Sequence, residues 1–120
     1  MNDREPVELD LVRSPLRSLL LILIGGGPTH GYELLEQVRD AGIPLADPGT
    51  LYRKLRGLER DGHVESWWED SPSGPPRRTY ALTRAGRDAL RAEVLAMRST
   101  ITLLSALADR AAAVLRPIGR

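Results

Sequence analysis

The sequence has no cysteine, no phenylalanine, a single lysine and only five aromatic residues among its 120 positions. Without cysteine, a disulfide scaffold, a thiolate metal site and thiol catalysis are excluded, and a reducing compartment suits the chain. Without phenylalanine the core must be filled by aliphatic side chains, and leucine, at 20 residues, is the main supply. The longest apolar run, Leu19 to Ile24, falls far short of the ~20 residues that a membrane-spanning helix needs. An excess of charge of either sign is lacking too. Seventeen basic and sixteen acidic residues leave a formal +1, which by itself predicts no particular partner. Asp3, Glu5, Glu8 and Asp10 precede the apolar run, the opposite of a cationic secretory start, so a cytoplasmic protein without membrane contact is expected. The length allows one domain, or one small domain plus an extended element.

What is present reads as a succession of helices and one hairpin. Residues 1–8 form a polar leader, with Leu9 and Leu11 the first candidates for contact with the domain. Ser14-Pro15 is a helix start, and Gly25-Gly26-Gly27-Pro28 ends that helix because glycines and proline cannot continue it cheaply. Thr29 is the expected cap of a second helix with Leu34, Leu35 and Val38 as its buried stripe and Gly42 as its stop. Asp47-Pro48 opens a third helix with Leu51, Leu55 and Leu58 on one face, ended by Gly62. Strands follow over His63–Glu69 and Arg77–Leu82, with 70–76 as a turn by composition. Thr83 caps a last helix that can run to Pro117, with Gly86 as a weak point in its first turn.

That last helix carries Leu90, Val94, Met97, Ile101, Leu104, Ala108, Ala111 and Leu115 at alternating intervals of four and three. Such a seam buries itself against a partner helix. A helix of this length, at ~1.5 Å per residue, outruns any compact domain of some eighty residues, so its far half needs a second chain. The organisation expected is therefore a leader over 1–8, a domain over 9–83 and a dimerisation helix over 84–116. The fold class is mainly α with a small β-hairpin wing, a winged helix-turn-helix plus a long C-terminal helix.

The third helix tests that reading, because a recognition helix must show a cationic or polar face opposite its buried one. At ~100° per residue, Arg53, Arg56 and Arg60 lie opposite the three leucines, flanked by Thr50 and Lys54 on one side and Tyr52 on the other. No acid occurs between Pro48 and Leu58. Arginine can bond guanine bidentately in the major groove, whereas hydroxyls and lysine usually hold phosphates. Base reading is therefore expected from Arg53 and Arg56. Thr50, Tyr52, Lys54 and Arg60 are expected at the DNA backbone, and Arg77 and Arg78 on a wing that reaches phosphate or minor groove.

The stretches Pro28-Thr29-His30-Gly31-Tyr32-Glu33-Leu34, Pro48-Gly49-Thr50-Leu51-Tyr52, Leu58-Glu59-Arg60-Asp61-Gly62 and Gly74 to Gly86 together resemble the PadR family of bacterial transcriptional regulators. The likeness runs from about Leu9 to Leu90. It implies a winged helix-turn-helix with a C-terminal dimerisation helix, usually acting as a repressor of nearby genes; a single terminal helix resembles the family's short-tailed branch. Three departures matter. Arg53 stands where the family commonly has proline, and His63 where it usually has an aliphatic residue. Some members resemble one another in stacking flat drugs on a tryptophan of the dimerisation helix, and here no aromatic residue follows Tyr80.

Other residues keep two readings. Gly31 and Tyr32 read first as structure, a close helix approach and a core ring, with phosphate contact by Tyr32 as the alternative. His30, near a helix start, is either a surface histidine or a phosphate contact. Trp67 and Trp68 point to opposite faces of a strand; Trp68, on the face of Val64 and at the family's usual tryptophan, is expected in the core. Trp67 is then a more exposed ring, open to a dimer partner, a ligand or nothing. His30 and His63 lie in separate elements without cysteine, so no metal or cofactor is expected. The glycine run lacks the strand and Lys-Ser/Thr of a phosphate loop, and no enzyme is expected. The function expected is a homodimeric repressor that binds double-stranded DNA at an inverted repeat, with a small-molecule effector of unknown identity allowed by the resemblance. A protein-interaction module and a nonspecific architectural DNA binder are the alternatives.

Overall fold

The computed structural model describes residues 15–43 and 47–118. The leader, Leu9, Leu11 and the Ser14 cap lie outside those residues. The elements are α1 (Leu16–Gly25), β1 (Thr29–His30), α2 (Gly31–Asp40), α3 (Pro48–Arg60), β2 (Val64–Ser71), β3 (Gly74–Leu82) and α4 (Arg84–Leu115). Leu20, Leu21 and Ile24 of α1, Leu34 and Val38 of α2, and Leu51, Leu55 and Leu58 of α3 form one aliphatic core, closed by Val64 and Tyr80 from the sheet. Gly42 and Gly62 stop α2 and α3 at φ +80 and +82, a region that other residues adopt only with strain. Asp47 caps α3 by accepting the Thr50 N–H at 2.9 Å.

Thr29 does not cap α2. It pairs with Tyr80, and His30 with Thr79, as a two-residue strand that makes β3 the centre of a three-stranded antiparallel sheet. The Thr29 hydroxyl instead donates to Glu33 at 3.0 Å. A strand of two residues leaves no alternation to read. The hairpin is also longer than its composition suggests, because pairing continues to Ser71↔Gly74. Between that pair and Glu69↔Arg77, Asp70 faces both Pro75 and Pro76, a bulge that tolerates residues without an N–H.

Gly86 is no weak point. The N-terminus of α4 lies on the α3–β2 connection, where a Cβ on Gly86 would stand 2.0 Å from the His63 carbonyl oxygen. That oxygen accepts the Thr83 N–H at 3.1 Å. The Thr83 hydroxyl donates to the Gly62 carbonyl at 2.6 Å and accepts the Gly86 N–H at 3.0 Å. One residue thus caps α4 and fastens it to the end of α3. A turn and more later, Glu93 of α4 is buried and paired with Arg17 of α1, whose other terminal nitrogen donates to His63 Nδ1 at 2.9 Å. Leu90, expected at the interface between chains, packs against the domain's own core. Met97 is half-buried, and every residue from Ile101 to Ile118 is exposed.

Candidate nucleic-acid interface

The buried leucines of α3 turn its opposite side outward, and Arg53, Arg56 and Arg60 are all exposed there, with Thr50, Tyr52 and Lys54 half-buried at its margins. Arg53 lies back along the first turn, donating to the Thr50 hydroxyl at 3.2 Å and standing 3.7 Å from the Asp47 carboxylate. Both partners are exposed, so this contact is worth under ~1 kcal/mol and yields readily to a stronger acceptor. Two grooves flank the helix. One, of about 400 Å³, lies beside Thr50, Arg53, Lys54 and Arg60 and also takes in Arg17 of α1. The other, of about 620 Å³, separates α3 from the hairpin and brings Tyr52 and Arg56 opposite Trp68, Arg77 and Arg78, with His30 and Tyr32 at one end.

Tyr32 is not a core ring. It is exposed, stacked on His30 with ring centroids 5.8 Å apart, and its hydroxyl accepts from Arg77 at 3.0 Å. His30 is held in turn by a 3.0 Å hydrogen bond to the buried Thr79. Gly31 is structural as expected, since a Cβ there would sit 3.0 Å from the Tyr52 ring. Trp68 is also misplaced by the sequence reading, being 64% exposed. Alternation assigns it to the face of Val64, but at Trp68 that face stands across an open groove from α3, and the Arg78 guanidinium lies 5.3 Å from the ring centroid. Trp67, on the other face, donates its indole N–H to Glu69 at 3.0 Å and stands outside the groove. Arg78 donates from Nε to Ser66 at 3.0 Å and lies 3.7 Å from Glu59. Burial pushes the Tyr80 phenol above its ordinary value, with Arg78 pulling the other way, so the ring at the floor of this groove stays neutral.

Arg17, Glu59 and Ser66 are site residues that the sequence reading missed. Arg17 had a signal, being the only charge in the otherwise apolar α1. Glu59 and Ser66 had none, because their link spans a helix and a strand. Chemically, the surface sets cationic donors and stacking rings around two grooves, with the Glu59 and Asp61 carboxylates at their edges. Among the described residues no three acidic, histidine or cysteine side chains could hold a metal ion together, and no helix is long and apolar enough to cross a membrane.

A family model, the transcriptional regulator PadR-like family, matches residues 19–92, more than half of the chain. The chain belongs to the PadR-like family. Among solved structures, a PadR family transcriptional regulator from Eggerthella lenta is 31% identical, with 92% of this chain and 89% of that one covered and a TM-score of 0.59. A Streptococcus transcriptional regulator is 26% identical over 81% of this chain and 95% of its own, with a TM-score of 0.73. Bacillus subtilis PadR, solved in complex with operator DNA, shares the fold at a TM-score of 0.59 and 20% identity, over 66% of this chain and 46% of that one. PadR-like proteins are transcriptional regulators and not enzymes. The PadR-like match ends at residue 92, short of the last residues by which α4 is seated on the domain, Glu93 and Ala96.

Proposed function

We propose that this PadR-like regulator is a sequence-specific binder of double-stranded DNA that acts in the cytoplasm as a homodimeric repressor at an inverted repeat. The observation that carries the reading is the outward face of α3, exposing Arg53, Arg56 and Arg60 directly opposite buried Leu51, Leu55 and Leu58. Beside it stands a hairpin with Arg77 and Arg78 facing the same groove. In this reading α3 enters a major groove with Arg53 and Arg56 at base edges. Thr50, Tyr52, Lys54, Arg60, His30 and Tyr32 hold the backbone, while Arg77 and Arg78 serve the wing. Pairing of two copies along α4 is supported by Ile101, Leu104 and Leu115 of the seam, all more than half exposed. Relief of repression by a small molecule is supported by the family likeness alone.

Displacement of counterions from several phosphates makes affinity steeply salt-dependent. Binding to duplex is expected to fall by about tenfold or more between roughly 50 and 200 mM salt, measured by fluorescence anisotropy. A flat response would favour a protein partner for α3. Arg53→Ala should relax selectivity at one base pair and weaken the selected duplex by ~1–3 kcal/mol, whereas Arg77→Ala should weaken selected and random duplex alike. Equal effects of the two substitutions on both duplexes would overturn this division of roles.

A further inference from the structure

One carboxylate at the last turn of α3 reaches both strands of the wing. Glu59 accepts the Ser66 hydroxyl on one oxygen, and its other oxygen lies 3.7 Å from Arg78 Nη2. Arg78 closes the ring by donating from Nε to the Ser66 Oγ at 3.0 Å, and its guanidinium also covers Trp68. Ser66 belongs to β2 and Arg78 to β3, where it is the cross-strand partner of Trp68. The backbone alone does not fix this part of the hairpin, because β1 pairs only with Thr79 and Tyr80. Beyond those two residues the wing is a two-stranded ribbon, which is marginal by itself and free to twist. Its angle to the helices must come from side chains: Arg77 ties β3 to Tyr32 of α2, and Glu59, Ser66 and Arg78 make the tie to α3 itself.

An acid on a surface that approaches a polyanion opposes binding to every sequence equally. Its presence there calls for a gain of another kind. We propose that Glu59 is a positioning residue for sequence discrimination. By holding Ser66 and Arg78 it fixes the wing at one angle to α3, so that a wing resting on the backbone sets which base step Arg53 and Arg56 meet. The proposal rests on the DNA-binding reading above and adds to it a residue that touches no base.

The test compares the wild-type chain with Glu59→Ala, Glu59→Gln, Ser66→Ala, and Arg78→Ala with and without Glu59→Ala. The duplexes are one enriched from a random pool by the wild-type chain and one of random sequence, at the same salt. Glu59→Ala should bind random duplex at least as tightly as wild type and the enriched duplex about tenfold more weakly. Ser66→Ala, which leaves every charge in place, should lower the ratio of the two affinities in the same direction. Glu59→Gln should retain part of the ratio by still accepting the hydroxyl. Adding Arg78→Ala to Glu59→Ala should lower the ratio no further, since the tie is already broken. An unchanged ratio in Glu59→Ala, or additive losses in the double variant, would overturn the proposal while leaving DNA binding intact. Failure of the wild-type chain to enrich any duplex would overturn DNA reading and this proposal with it.

Discussion

Gly86→Ala is expected to destabilise the fold by about 2–3 kcal/mol and to lower Tm by on the order of 10–20 °C. Helix propensity predicts the reverse, since alanine exceeds glycine by ~1 kcal/mol in a helix. The contact decides the sign. A methyl group at this position would stand 2.0 Å from the His63 carbonyl oxygen, and both sides of the clash are backbone. Backing α4 away would break the Thr83 N–H bond to that oxygen and the Thr83 hydroxyl bond to Gly62. It would also draw Glu93 from Arg17, leaving a charge buried without its partner, which is the costly half of such a pair. Urea or thermal unfolding of the variant measures the effect, and a neutral or stabilised protein would show that α4 is not seated as described.

The second large effect is expected from Ile101→Glu combined with Leu104→Glu. Both side chains are more than half exposed in the single chain, so the domain itself should melt as before. In a pair joined along α4 the substitutions place four carboxylates in one seam, where charge is unpaired and desolvated. The variant should sediment as a single chain of 13.2 kDa, and its affinity for an enriched inverted repeat should fall by ~10²–10⁴-fold as the two reading heads lose their linkage. Helicity should fall as well, because an isolated helical segment of some fifteen residues is marginal in water. Affinity for a duplex holding one half-site should stay within about twofold of wild type. Unchanged sedimentation would remove dimerisation along α4 from the reading.

The parts of this fold that the sequence made legible are those governed by local rules. Asp47-Pro48 and Thr83 start α3 and α4 where their chemistry requires, and the leucine spacing of α3 placed its cationic face before any contact was known. Illegible were the contacts made across the chain. Arg17 and Glu93 are 76 residues apart, and no local pattern marks one as the partner of the other. Trp68 shows a different limit. Strand alternation tells which face a side chain takes but not whether anything lies over that face, and at Trp68 an open groove separates β2 from α3. Gly86 was misread for a related reason, because propensity describes a helix in isolation and the decisive neighbour, the His63 carbonyl, comes from another element.

The fastening of α4 to the end of α3 through Thr83 turns the long helix into a lever arm. Gly62, Thr83 and Gly86 leave no slack between the last turn of one helix and the first of the other, so any tilt of α4 is passed whole to the arginines of α3. For two copies joined near the far end, a change of about 5–7° in their crossing angle, acting over roughly 30 Å of helix, would shift the two heads relative to each other by ~3 Å, close to one base-pair step. Such an assembly would behave as a caliper. A molecule lodged between the two arms could move the heads out of register with the operator without touching the surface that meets DNA.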